Sequence, residues 1–227
     1  MAKLSGMGTI YNCLETSEAL TGLRLARQAI GRGELVVVPT DTVYGIAADA
    51  FNPAAVQKLL DAKGRGRQSP PPVLVAGIDT MTALAEQITP EMQKLAEAFW
   101  PGGLTIVVSA RSTLAWDLGE TNGTVALRMP DHDLVREFLS ETGPLAVSSA
   151  NLTGKPAALT AAEAMAQLGD SVAVCLDAGE SSGSRVGSTI VDATPTVEGK
   201  PVRILREGTI SRDAIRDVLG SLAEDGS

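Results

Sequence analysis

Along this chain, apolar β-branched runs alternate with segments whose apolar residues recur every three or four positions, a pattern that predicts an α/β fold. Residues 18–30 set Leu20, Leu23, Ala26 and Ile30 near one helical face, with Ser17 as the N-cap and Gly31 or Gly33 as the stop. ELVVVP then reads as a buried strand. Asn52-Pro53 caps a helix that carries Val56, Leu59 and Leu60, and Val73-Leu74-Val75 forms a short strand after three prolines. Thr89-Pro90 opens a helix with Met92, Leu95 and Phe99 inward, since proline at the first helical position costs no hydrogen bond. Strands are expected at 104–109, 124–129 and 144–149, with a helix from Asp131 between the last two. Thr160-x-x-Glu163 is a capping box at the start of an Ala-rich helix. VAVCLD, STIVD and VRILR follow as strands, and Ser211 opens a last helix with Ile215, Val218 and Leu222 on one stripe.

The last three strands lack intervening helices, so the pattern favours a mixed sheet of around seven or more strands over a purely parallel one. With 227 residues, 44 % apolar and 20 % charged, the chain fits one domain with a full core. Aromatic residues are only 3 %, so Val, Leu, Ile and Ala must build that core.

The formal net charge of −8 disfavours binding to extended nucleic acid, which needs a basic surface to neutralise phosphates. Cys13 and Cys175 stand far apart without a Cys-x-x-Cys partner, so neither a zinc site nor a disulfide framework is indicated; two buried thiols in a reducing compartment are expected. The N-terminus lacks an apolar signal region, and no stretch is long enough to span a membrane. The chain is therefore expected to be soluble and cytoplasmic.

Three segments carry candidate chemistry. Pro39-Thr40-Asp41-Thr42-Val43-Tyr44-Gly45 follows a buried strand and presents hydroxyls where α/β proteins place ligands, although a turn entering a half-buried strand accounts for the same residues. Lys63-Gly64-Arg65-Gly66-Arg67, followed by Ser69 and three prolines, puts three cations into five residues of an acidic protein. Cations at a helix C-terminus complement its dipole, which accounts for Lys63 and part of Arg65. It does not account for the spacing glycines, which let a backbone approach a ligand, or for guanidinium groups that match phosphate oxygens. Ser148-Ser149-Ala150-Asn151-Leu152-Thr153-Gly154 can coordinate an anion without adding charge, or can be a capped turn. Arg128, inside an apolar strand, needs an anionic partner. His132, the only histidine, reads as a capping or surface group. There is no HExxH, no metal-ligand cluster and no G-x-x-x-x-G-K-[ST] loop, so ATP would have to bind through another architecture.

Taken in order, PTDTVYG, KGRGR…P, PGGLT, ALRMPDH, SSANLTGKP, GSTIVD and ILREG resemble the YrdC-like threonylcarbamoyl-AMP synthases over about residues 15–220. The resemblance implies a twisted, mainly mixed sheet flanked by helices around a large positively charged cavity. It divides the chain into an N-terminal arm (1–14), a catalytic domain (15–222) and a frayed tail (223–227), with no room for the extra C-terminal domain of longer members. The implied reaction joins L-threonine, bicarbonate and ATP, with Mg²⁺ carried by the nucleotide, into threonylcarbamoyl-AMP and pyrophosphate. A separate threonylcarbamoyl-transferase complex would then act on tRNA.

By matching positions, Lys63 and Arg65 would be catalytic and face the phosphates. Ser69, Thr124, Asn151, Ser188 and Arg206 would complete the nucleotide site. Thr42, Arg128 and Ser149 would hold L-threonine, and no protein side chain would bind a metal. Leu74 stands where some members carry a threonine-contacting His, and Arg67 matches no position that the family requires. A non-catalytic RNA-binding or ribosome-associated module is the competing reading.

Overall fold

The computed structural model describes residues 8–183, 185–220 and 223–225. The strands are β1 (Thr9–Asn12), β2 (Leu35–Val38), β3 (Gly45–Asp49), β4 (Val73–Leu74), β5 (Leu104–Ser109), β6 (Thr124–Arg128), β7 (Leu145–Ser149), β8 (Val172–Asp177), β9 (Thr189–Asp192), β10 (Val202–Arg206) and β11 (Ala223–Asp225). Between them run α1 (Thr16–Gly31), α2 (Pro53–Lys63), α3 (Ile78–Leu84), α4 (Pro90–Phe99), α5 (Asp133–Thr142), α6 (Ala161–Leu168) and α7 (Arg212–Leu219). All described strands join one mixed sheet in the order β1-β8-β2-β3-β7-β4-β6-β5-β9-β10-β11. The expected α/β fold with a twisted mixed sheet is the fold observed.

Local chemistry starts most helices where the sequence indicates. Asn52 accepts from the Ala55 N–H with Pro53 beside it, Thr89 accepts from Met92, and Ser211 accepts from Ala214. Thr160 caps Glu163, whose carboxylate returns to the Leu159 N–H at 2.7 Å. Helix α1 departs from expectation. It starts at Thr16 with Glu15 in the N-cap position rather than Ser17, and no side chain caps it. Its buried stripe is Gly22, Leu23, Ala26, Ala29 and Ile30, which leaves Leu20 65 % exposed. The cause is β1: a Cβ on Gly22 would come within 2.7 Å of the Tyr11 Cβ, so this glycine face lies on the strand.

Strand β1 pairs parallel to β8, so residues 9–12 belong to the sheet and not to a separate arm. At the other end, Ala223–Asp225 pair with Val202–Ile204 where a frayed tail was expected. Along α7, Ile215 and Leu219 are buried; Leu222 lies outside the described residues.

Helices cover both faces of the sheet. Val36 and Val38 of β2 pack with Leu23, Ala26 and Ile30 of α1 and Phe138 of α5, while Leu35 and Val37 pack with Leu59 of α2 and Met165 of α6. A third cluster joins β5, β6, β9 and β10 to α3, α4 and α7. Cys175 is buried as expected, whereas Cys13 is only half-buried. Burial, with Asp177 nearby, pushes both thiols up, to about 12 and about 11. No described helix is long and apolar enough to cross a membrane.

Tyr44 ties the start of β3 to the segment after β8. Its fully buried hydroxyl donates to the Gly179 carbonyl at 2.6 Å and accepts from the Ala178 N–H at 3.1 Å. Tyr44→Phe would leave both groups unpaired and is expected to lower unfolding free energy by about 1–3 kcal/mol. Urea denaturation checks this, and an unchanged midpoint at equal slope would rule it out.

Candidate active site

The site begins where β6 ends. Arg128 is only 6 % exposed, and its guanidinium is held on three sides. Nε donates to the Gly102 carbonyl at 2.9 Å, Nη1 to the Thr42 hydroxyl at 2.9 Å and Nη2 to Asp41 at 2.6 Å. Burial draws the Arg128 pKa down, opposed by Asp41. Two of the five guanidinium N–H groups are left for a ligand. The anionic partner required of Arg128 is therefore Asp41, which also accepts from the Asp131 N–H at 3.1 Å.

The turn that presents Asp41 and Thr42 is closed by Thr40. Its hydroxyl donates to the Val43 carbonyl at 2.6 Å and accepts from the Thr42 and Val43 N–H groups. The segment between β8 and β9 lies directly on this turn. Ser181 donates to the Thr40 carbonyl, and a Cβ on Gly183 would sit 1.8 Å from the Thr42 carbonyl oxygen.

Lys63 is the last residue of α2 and 1 % exposed. Its ammonium donates to the carbonyls of Ser149 and Asn151, the latter at 2.7 Å. These two bonds fix the turn after β7 and leave one of the three Lys63 ammonium N–H groups without a partner in them. Burial, then the charge of Arg65, lowers its pKa to about 8. Gly64 leaves the helix at φ 64°, a backbone that favours glycine, and the chain turns so that the Arg65 Nη1 lies 3.5 Å from the Ser148 Oγ. Ser149 contributes its carbonyl. Asn151 uses its amide on the Leu152 and Lys155 carbonyls, and its buried Oδ1 has no partner.

The opposite wall comes from β9 and β10. A register shift between Ile204 and Arg206 re-aims the end of β10, and Arg206 donates to the Ser188 carbonyl, with Nη2 at 2.6 Å. The Ser188 hydroxyl meets that of Thr105 at 2.8 Å. Burial and Arg65 lower the Arg206 pKa, and Arg206 lowers that of Arg128, so three guanidinium groups lie within electrostatic reach of one another. Arg65 and Arg206 bond to a hydroxyl and to a carbonyl, and Lys63 to two carbonyls. Among the described residues none of these three ion-pairs with a carboxylate.

Thr124 and Arg128 share a face of β6, about 13 Å apart at roughly 3.3 Å per residue. The hydroxyl of Thr124 is turned onto the Thr121 carbonyl. Val73 pairs with Leu127 on one side and Ala146 on the other, so β4 lies between the strands that carry Thr124 and Ser149. Ser69 is half-buried, and its backbone N–H closes a turn on Gly66.

The structure thus joins Thr42 to Arg128, Lys63 to Ser149 and Asn151, and Ser188 to Arg206, while Ser69 follows the basic loop along the chain and Thr124 bonds to Thr121. Leu74 is buried in the core with Leu145 and Val147. His132 stands at the N-terminus of α5 without capping it; its Nδ1 is buried and unpartnered, and burial lowers its pKa. Asp41, Thr105 and Ser148 are contacts that residue-by-residue reading overlooked. Asp41 lies inside a motif already singled out, but its pairing across 87 positions with Arg128 has no local signal.

Residues 28–208 match the family model of Sua5, YciO and YrdC proteins, described as "Telomere recombination". A Mycobacterium tuberculosis protein with the provisional name threonylcarbamoyl-AMP synthase is 49 % identical over 214 residues, 94 % of this chain and 96 % of that protein. The Pyrococcus abyssi threonylcarbamoyl-AMP synthase is 35 % identical over 204 residues, 88 % of this chain but 58 % of its own length. The crystal structure of P. abyssi Sua5 complexed with L-threonine superposes with a TM-score of 0.81 at 32 % identity, covering 93 % of this chain and 61 % of that one. On sequence and fold together, this chain belongs to the Sua5/YciO/YrdC family.

Proposed function

We propose that this chain is a threonylcarbamoyl-AMP synthase, joining L-threonine, bicarbonate and ATP with release of pyrophosphate and water. The observation that carries the reading is the set Lys63, Arg65 and Arg206: one buried, one half-buried and one exposed cation without a carboxylate partner among the described residues, beside the Thr42–Arg128 pair. The names of the bacterial and archaeal relatives support it, as does the threonine complex of the P. abyssi protein.

In this reading the two remaining Arg128 N–H groups receive the threonine carboxylate, and the Thr42 and Ser149 hydroxyls fix the amino acid. The threonine amine attacks the bicarbonate carbon, water leaves, and the resulting carbamate oxygen attacks the ATP α-phosphate as pyrophosphate departs. Lys63, Arg65 and Arg206 neutralise the charge that builds on the phosphates, and Ser69, Thr124, Asn151 and Ser188 hold the nucleoside side. Mg²⁺ bound to the ATP phosphates would add charge neutralisation there; no group of three or more His, Cys, Asp or Glu side chains that could hold a metal converges among the described residues. The product passes to a separate transferase complex that modifies tRNA, in the cytoplasm.

Pyrophosphate release from ATP and bicarbonate is expected to depend on threonine, with serine a poor substitute and no release without an amino acid. Release that ignores threonine would overturn the assignment. Lys63→Ala or Arg65→Ala should lower the rate by about 10²–10³ while leaving the circular dichroism spectrum unchanged.

A pH dependence follows from Lys63. Its charged form is the useful one, and its pKa in the free protein is about 8. The kcat/KM for ATP should therefore be level below that pH and fall about tenfold per unit above it. A profile that stays level to pH 9.5 would show that Lys63 does not act as a cation.

A further inference from the structure

One cation of the basic run has no place in the chemistry above. Arg67 pairs with a carboxylate instead: its Nη2 donates to Asp117 at 2.6 Å, with both side chains exposed, 46 % and 44 %. The same Asp117 oxygen accepts from the Gly119 N–H at 3.1 Å, and the Arg67 carbonyl accepts from the Glu120 N–H at 2.8 Å. Gly119, at φ 110°, completes the contact. A Cβ there would lie 2.6 Å from the Arg67 carbonyl oxygen, so the two backbones meet where no side chain fits. One residue is thus held through its side chain and its main chain by a single loop, 110–123, which links β5 to β6.

That loop is itself fixed. Trp116 stacks on Phe51, ring centroids 5.4 Å apart, and Leu118 is buried in the core. An exposed ion pair of this kind adds little to overall stability, so global stabilisation is a poor account of the arrangement. Its position along the chain suggests another role. Arg65 lies midway between two anchors, Lys63 on the carbonyls of Ser149 and Asn151, and Arg67 on Asp117 and Glu120. Gly64 and Gly66 on either side of Arg65 would otherwise leave that short span free to move.

We propose that Arg67 is a positioning residue, acting through Asp117 and the 117–120 turn to hold Arg65 against the phosphates of a bound nucleotide. The proposal rests on the nucleotide site inferred above but not on which acceptor the enzyme uses. Its test is therefore direct binding of a non-hydrolysable ATP analogue by calorimetry, beside the kinetic constants.

Arg67→Ala and Asp117→Ala should each weaken analogue binding and raise the KM for ATP by roughly 5–10-fold, because small displacements of a positioned group are costly. The KM for threonine and the thermal midpoint should stay at wild-type values, and Arg67→Lys should recover part of the loss. The double variant should be no worse than either single, since both remove one coupled contact. Additive losses, or an Asp117→Ala variant with wild-type affinity, would mean that Arg67 meets the nucleotide itself, and the proposal falls. Unchanged affinity in Arg67→Ala also overturns it. A wild-type protein that binds the analogue but releases no pyrophosphate removes the synthase reading and leaves this test intact; one that binds no analogue removes both.

Discussion

The ammonium of Lys63, withdrawn from water at the end of α2, is the contact on which the pocket depends. It ends a helix, and at the same time it satisfies two carbonyls of the turn that follows β7. A buried charge is tolerated only when polar groups replace its hydration, and here the backbone of another element supplies them. Helix α2, the Ser149–Asn151 turn and the start of the basic loop are therefore fixed relative to one another by one side chain. Removing it would leave two carbonyls unpaired and Arg65 without a defined starting point.

The second constraint is electrostatic. The chain is acidic as a whole, yet Lys63, Arg65 and Arg206 lack carboxylate partners among the described residues, and burial followed by the charge of Arg65 lowers the pKa of both Lys63 and Arg206. Such a cluster is costly in the empty protein, and an anion that enters relieves the repulsion. Arg128 is treated differently. Asp41 compensates its charge, and Thr42 and Gly102 fix its plane. One end of the site thus carries cations without carboxylate partners among the described residues, and the other a guanidinium whose charge is compensated and whose plane is fixed. This asymmetry matches the chemistry proposed, in which a nucleotide triphosphate meets an amino acid.

Much of the frame was legible in the sequence, because caps and alternation are local. Asn52-Pro53, Thr89-Pro90, Thr160 and Ser211 open their helices as read, and the fully apolar β2 is covered on both faces. The misses have physical causes. Leu20 is exposed because the helix turns its Gly22 side onto β1, a strand too short and polar to announce itself. Ala223–Asp225 gain their strand from the neighbouring β10 rather than from any propensity of their own. In the site, family resemblance pointed to segments but could not assign atoms. Lys63 spends two of its three hydrogens on carbonyls, Ser148 meets Arg65, and Asp41 serves Arg128 from 87 positions away.

These details bear on how a site with no acid–base dyad could accelerate its reaction. Nothing in the proposed chemistry requires the protein to exchange a proton at a tuned carboxylate; it requires several anionic groups to be brought together and held in line. Rates in such a site depend on how little the positioned cations move. The structure limits that movement by tying each to the main chain: Lys63 and Arg206 to carbonyls, Arg128 to Gly102. Arg65 has the weakest direct contact of the set, 3.5 Å to a hydroxyl. The residues around it make up the difference, Lys63 two positions before and Arg67 two positions after, each fastened to a different loop. On the proposed reading, the basic run combines two uses of positive charge: Lys63 and Arg65 face the ligand, and Arg67 holds Arg65 there.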